Sequence, residues 1–318
     1  MKKKKLLFLS LFCCLFIALG LSTKVYAFDG DLPVSKIKNK ELFKILRTTT
    51  PYSKSESNYR FNTVSYRIPT YVYNQHNVEL KVGEVYFAGV GCELAACYNA
   101  SEMLDDPVAV RERKKINRLP NYIKIAEQNK YLMALNKSQV SSAAYSLLKS
   151  YSTSVIERLG LALAKGVLSI PFPRNRLAPI DILNTVLSYY TTSFSKVGSF
   201  GTDPYAIPDI LKKGGLCKAE YTYDQFYRMN LAVNNSKANK FKTVYIVSYW
   251  NYDTLLECLN HGSGFHTVCF YTENGKIYSF NNKPEYSAYD LKVYEEQNLS
   301  KLIEKEDRFI VGYQIVLQ

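Results

Sequence analysis

The order of helical and strand patterns along the chain constrains its fold most. A strand-like pattern runs from Phe61 to Phe87, and four further strands are predicted at the end of the chain, at about 243–250, 266–273, 276–282 and 308–317. Helical patterns dominate before them, at about 92–104, across 105–178, at 179–190 and at 202–214, and one more lies near 291–304. Glu273-Asn274-Gly275-Lys276 predicts a tight hairpin turn. Helices followed by a C-terminal antiparallel sheet indicate the α+β class.

The first 27 residues have the pattern of a secretory signal peptide. Lys2 to Lys5 form a positive segment, an apolar run extends from Leu6 to about Leu21, and Val25-Tyr26-Ala27 carries small residues at the −3 and −1 positions of a cleavage site. An uncleaved membrane anchor is the alternative, since the run is close to the ~17-residue lower limit for a span. Cleavage after Ala27 removes five Lys and no acidic residue, so the formal charge falls from +13 to +8. We expect a secreted or cell-envelope-associated protein.

The mature chain is expected to consist of a polar arm followed by a folded domain. Residues 28–60 are rich in Lys, Ser and Thr with little periodicity and predict the arm, whereas residues 61–318 predict the domain. A hydrophobic fraction of 47% excludes a disordered or collagen-like chain. The basic balance favours association with an anionic cell envelope after export, and the absence of a recognition motif argues against a nucleic-acid partner. The sequence leaves the oligomeric state open.

Five cysteines remain after the predicted cleavage. They are Cys92, Cys97, Cys217, Cys258 and Cys269. An odd number leaves at least one free thiol, and five in a chain of this length do not make a disulfide scaffold. None has the Cys/His spacing of a zinc site, so we expect no metal, and thiol chemistry needs no organic cofactor.

Cys92 is the first candidate for chemistry. It follows Gly89-Val90-Gly91 and begins a predicted helix, where the partial positive charge and the unpaired backbone N–H groups favour a thiolate. Its own N–H is placed to donate to an oxyanion, and the glycines allow close approach of a substrate. A cysteine that merely follows a glycine turn is the alternative. Cys97, on the apolar face of the same helix, is interpreted as a packing residue.

His266 and the pair Asn281-Asn282 are the second and third candidates. His266 begins a strand after Gly262-Ser263-Gly264, a position suited to facing a cleft. The hairpin returns Asn281 or Asn282 to the same end of the strand pair, where a side-chain amide could orient the imidazole. His261 and His76 are weaker candidates. An edge-strand histidine and an ordinary Asn-Asn turn are the alternatives.

These residues resemble a known family when taken together. Gly89-Val90-Gly91-Cys92-Glu93, the block from Phe200 to Ile207 and Phe265-His266-Thr267-Val268 look like the papain-like peptidase domain of bacteriocin-processing transporters. They are similar above all to its stand-alone exported relatives in Gram-positive bacteria. The resemblance covers about residues 61–317, with 105–178 as a helical insertion, and implies a papain-like α+β fold.

The resemblance also implies roles for individual residues. Cys92 would be the nucleophile, His266 the general base and acid, and Asn281 the residue that orients the imidazole. Two positions depart from the family pattern: Tyr86 stands where a Gln usually completes the oxyanion hole, and Glu93 replaces the usual Gly after the cysteine. A carboxylate at Glu93 suits the start of a helix but opposes a thiolate next to it.

Three functions therefore follow as hypotheses. The first is an exported thiol hydrolase that cleaves peptide or amide bonds by a Cys-His-Asn mechanism, with a peptide as substrate. The second is an amidase or endopeptidase acting on peptidoglycan, with a cell-wall peptide as substrate. The third is a catalytically inactive papain-like domain that binds a peptide or a cell-wall component, which the missing Gln favours.

Overall fold

The computed structural model describes the parts of the chain that surround the candidate site. The described residues are 33–47, 75, 78, 80–104, 118–134, 196–239, 241–254, 258, 264–280, 294–296 and 298–318. All of them belong to one compact unit, formed by Leu32–Lys149 and Val186–Gln318. The predicted signal peptide, the helix expected at 179–190 and most of the segment 105–178 lie outside the described residues. No helix within these ranges is both long and apolar enough to cross a bilayer.

A six-stranded antiparallel sheet follows a short two-stranded hairpin. The hairpin pairs β1 (Lys81–Val82) with β2 (Val85–Tyr86). The strands of the large sheet are β3 (Cys217–Tyr223), β4 (Thr243–Trp250), β5 (Phe265–Glu273), β6 (Lys276–Phe280), β7 (Tyr294–Glu296) and β8 (Phe309–Leu317). Their order is β3-β8-β4-β5-β6-β7, and every neighbouring pair is antiparallel. The predicted α+β class with a C-terminal antiparallel sheet is thus confirmed.

The turn between β5 and β6 has the conformation that its sequence predicts. Asn274 and Gly275 both have positive φ, at 50° and 82°, as a two-residue type I′ turn requires. Tyr271 and Tyr278 stack across the hairpin with ring centroids 4.9 Å apart. This turn sets the register in which β6 runs back toward the start of β5.

Seven α-helices accompany these strands within the described residues. They are α1 (Asn39–Leu46), α2 (Phe87–Val90), α3 (Cys92–Leu104), α4 (Arg118–Gln128), α5 (Ile207–Gly214), α6 (Phe226–Lys237) and α7 (Leu299–Leu302). The predicted helix over 92–104 is confirmed. The one predicted over 202–214 is confirmed as a 3₁₀ turn, Pro204–Ala206, that continues into α5 and ends at the left-handed Gly215.

Two parts of the prediction differ from the structure. The segment near 291–304, expected to be helical, contains β7 and then only the short α7, which Asn298 caps by accepting from the Lys301 N–H at 3.0 Å. The sequence prediction also omitted β3 and α6. Residues 217–223 alternate too weakly in polarity to stand out, because β3 is an edge strand whose outward side chains are exposed.

Helices pack on both faces of the large sheet. One face carries α3, which packs on β4 and β5 and is buried along most of its length. The other face carries α6 and α7, and its apolar cluster consists of Met229, Val233, Tyr245, Val247, Tyr249, Val268, Phe270, Ile277, Leu299, Leu302 and Ile303. The start of α3 therefore lies against the sheet at one end of β5.

Residues 33–47, within the predicted polar arm, add a helix to the side of α3. Phe43 of α1 is fully buried, stacked on Trp250 at 5.6 Å and in edge contact with Phe265 at 5.0 Å. The Trp250 indole N–H donates to the Asn39 side chain at 3.0 Å. Phe43 is the aromatic anchor of this segment, in which Val34, Ile37 and Leu46 are also buried.

Candidate active site

Cys92 begins α3, as the sequence predicts. The chain leaves β2 through the single turn α2, passes Gly91 and enters α3 at Cys92. A Cβ on Gly91 would lie 2.6 Å from the buried ring of Phe87, so only glycine fits there. Cys92 itself is only 6% exposed.

The partner of the Cys92 thiol is the neighbouring carboxyl of Glu93. The thiol donates to Oε1 of Glu93 at 2.9 Å, and Glu93 is completely buried. Thr267 of β5 donates its hydroxyl to the same oxygen at 3.4 Å, and the Thr202 N–H donates to Oε2 at 3.3 Å. The start of α3, the start of β5 and the segment before α5 thus meet on one carboxyl group.

Burial governs the protonation of this pair. It raises the pKa of Glu93 from 4.5 to about 7, even though hydrogen bonds from Cys92, Thr202 and Thr267 favour the carboxylate. Burial also raises the pKa of Cys92 well above 9, and the charge and hydrogen bond of Glu93 raise it further. The backbone N–H groups of Thr267 and Glu93 act in the opposite direction.

The contact with the Thr267 N–H brings two distant parts of the sequence together. That N–H belongs to the peptide bond that follows His266, so the sulfur of Cys92 lies beside β5 directly after the histidine. Alternation along β5 directs the Thr267 side chain to Glu93 and the His266 side chain to the other face of the strand. There the imidazole makes an edge contact with the ring of Tyr249, with centroids 5.8 Å apart.

The block from Phe200 to Ile207 lies next to the Glu93 carboxyl. Asp203 caps the 3₁₀ turn by accepting from the Tyr205 N–H at 2.8 Å and forms an ion pair with Arg47. A Cβ on Gly201 would lie 3.5 Å from Oε2 of Glu93. This block therefore lies close to the carboxyl in addition to starting a helix.

Several predicted candidates lie outside the described residues. They are Asn281, Asn282, His261 and His76. The last described residue of β6, Phe280, pairs with Cys269 on β5. Asn281 follows directly, and its role as the third catalytic residue stays a prediction.

Gln75 contacts α2, the single helical turn before Cys92. It lies 17 residues before Cys92 in the sequence, and nothing in that spacing predicts the contact. Its side-chain nitrogen donates to the Ala88 carbonyl at 2.7 Å, and the residue is only 7% exposed. Tyr86, which stands at the position of the family's Gln, is 70% exposed and lies against Lys81. The sequence contained no local signal for Gln75, because long-range packing brings it to α2.

The other four cysteines among the described residues are buried and are not part of a disulfide bond. They are Cys97, Cys217, Cys258 and Cys269. Cys97 is completely inaccessible within α3, which confirms its interpretation as a packing residue. Among the described residues, no group of three or more His, Cys, Asp and Glu side chains could hold a metal ion.

Comparison with known proteins adds no assignment. No protein-family model, no curated protein and no solved structure matches this chain. The site itself consists of a thiol at a helix N-terminus, a neighbouring buried carboxyl and, on the adjacent strand, a histidine next to Thr267, which shares that carboxyl with the thiol.

Proposed function

We propose that the protein is an exported papain-like thiol hydrolase that cleaves peptide or other amide bonds. Cys92 is the nucleophile, His266 the general base and acid, and Asn281 the residue that orients the imidazole. One observation carries the proposal: the Cys92 thiol, at the N-terminus of α3, and the hydroxyl of Thr267, the residue after His266, donate to the same carboxyl oxygen of Glu93. Cys92 and His266 are 174 positions apart in the sequence, so local structure does not explain why the thiol lies beside the strand that carries His266.

The reaction follows from these roles. His266 can take the thiol proton once its imidazole turns from Tyr249 to the Cys92 side of β5. The sulfur then forms a bond to the amide carbon, and the C=O electron pair moves onto oxygen. When the tetrahedral intermediate collapses, the C–N bond breaks and His266 gives the proton to the leaving amine. Water then attacks the thioester, releases the carboxylic acid and restores the thiol.

The oxyanion needs hydrogen-bond donors near the start of α3. The N–H of Cys92 belongs to the first turn of the helix, where backbone N–H groups have no partner within the helix. Gln75 is a second candidate donor, because its nitrogen carries two protons and the Ala88 carbonyl accepts one of them. Gln75 would then serve in place of the Gln that is absent at Tyr86.

A peptide library, with cleavage read by mass spectrometry, tests the proposal. The mature protein should cleave a subset of peptides, and Cys92→Ala and His266→Ala should each lower turnover by roughly 10³-fold or more. Cys97→Ala is the matched control, since it removes a buried thiol from the same helix, and it should retain turnover. Turnover that survives in Cys92→Ala would contradict the proposal. Zymography on cell walls asks separately whether peptidoglycan is the substrate.

A second candidate is an inactive papain-like domain that binds a peptide or a cell-wall component. The observation that favours it is the state of the thiol: Cys92 is only 6% exposed and its proton is engaged by Glu93. Binding of cell-wall fragments by wild type and by Cys92→Ala alike, together with no turnover in wild type, would favour this candidate.

A further inference from the structure

We propose that Glu93 is a positioning residue that controls the nucleophile, because it holds the Cys92 thiol by a hydrogen bond and keeps it protonated while the carboxyl is charged. The inference rests on the proposed function in one respect, that Cys92 is the nucleophile. The hydrogen bond itself, and its effect on the thiol, are properties of the pair whatever reaction follows.

The geometry leaves Glu93 little freedom to release the thiol. Its carboxyl is completely buried, and three hydrogen bonds from α3, β5 and the segment before α5 fix both oxygens. The titratable groups on the same side of β5 as the pair are Cys97 on α3, whose pKa the charge of Glu93 raises, and Cys269, which also acts on Cys97. The His266 side chain lies on the other face of β5, against Tyr249.

As the pH rises, Glu93 or Cys92 can lose its proton, but the loss of one opposes the loss of the other. As the pH rises through about 7, the proton leaves Glu93 before it leaves Cys92, since burial raises the pKa of the thiol still further. Above that pH, forming a thiolate would place a second negative charge 2.9 Å from the first in a buried site. The thiolate population should therefore rise with pH up to about 7 and then level off.

Site-resolved alkylation of Cys92 with iodoacetamide from pH 5 to 9 tests this coupling. Glu93→Gln is the informative variant: its amide oxygen can accept from the Thr202 N–H, and its amide nitrogen can donate to Thr267 and the sulfur. Glu127→Gln is the matched control, because Glu127 is also buried and accepts a backbone N–H, from Gly83 at 2.9 Å.

In the wild type and in Glu127→Gln we expect the rate to rise and then level off near pH 7. Glu93→Gln should lack the inflection, react at the wild-type rate at pH 6 and react about tenfold faster at pH 8, since each pH unit changes a thiolate population tenfold. A wild-type profile in Glu93→Gln, or a Cys92 that stays inert in both proteins, would overturn the inference.

His266→Ala separates this inference from the proposed function. An inflection that remains in His266→Ala belongs to Glu93, whereas one that disappears belongs to the imidazole and overturns the inference. If Glu93→Gln fails to fold, as judged by circular dichroism, this comparison of His266→Ala with wild type still decides. If the protein cleaves no peptide but its alkylation profile still levels off near pH 7, the hydrolase proposal is refuted and the inference about Glu93 stands. If it cleaves peptides but the profile does not level off, the inference is refuted and the hydrolase proposal stands.

Discussion

The buried carboxyl of Glu93 should make the stability of the protein depend on pH between about 4.5 and 7. Its pKa is 4.5 in an exposed chain and about 7 in the folded protein. A folded-state pKa above the unfolded one means that the folded protein binds this proton more tightly. The stabilisation is therefore complete below pH 4.5, falls as the pH rises toward 7 and changes no further above it.

The size of the effect follows from the two pKa values. At about 1.4 kcal/mol per pH unit, the difference between 4.5 and about 7 corresponds to about 3 kcal/mol. Because Glu93 is completely buried, solvent does not screen this contribution. With a urea slope of about 2 kcal/mol per molar, the midpoint should fall by about 1–2 M between pH 4.5 and 7.5.

Urea unfolding of the wild type, Glu93→Gln and Glu127→Gln at pH 4.5, 6 and 7.5 measures this effect. Subtracting the Glu93→Gln midpoints from the wild-type midpoints cancels groups common to both, including Asp203, whose pKa is also raised by burial. The wild type and Glu127→Gln should lose stability with rising pH relative to Glu93→Gln. Midpoints of wild type and Glu93→Gln that change in parallel would refute the reasoning.

Two further substitutions test the packing around the site, both by urea unfolding. Gly91→Ala should destabilise the protein by about 1–3 kcal/mol, because the new methyl would overlap the buried ring of Phe87. Gly89→Ala is the control: its methyl meets no atom within 4 Å, so it should be neutral or slightly stabilising. Equal effects of the two would contradict the account of the α2–α3 junction. Phe43→Ala should cost about 3–5 kcal/mol, and Lys44→Ala on the exposed side of α1 less than about 0.5 kcal/mol. A small cost for Phe43→Ala would show that residues 33–47 do not belong to the folded core.

Local sequence patterns predicted the elements that carry the candidate site. Cys92 after two glycines marked the start of α3, and Asn274-Gly275 marked the turn between β5 and β6. His266 was expected at the start of a strand and lies in the second position of β5. Each of these depends on backbone conformation and alternation over a few residues, which the sequence carries directly.

Residue roles that depend on distant partners were harder to predict. Glu93 was expected as a favourable charge at a helix start that opposes a thiolate, but its complete burial and its contacts with Thr202 and Thr267 were not. Gln75 had no local pattern that would link it to the loop before Cys92.

The sequence by itself thus determined the α+β class, the helix that begins at Cys92 and the strand that presents His266. Tertiary structure alone decided that the thiol donates to a buried carboxyl and that Phe43 anchors residues 33–47. The physical reason is the range of the forces involved. Helix starts and turns follow from steric and hydrogen-bonding preferences of adjacent residues, whereas burial, and the pKa of a group such as Glu93, depend on which distant segments exclude water from it.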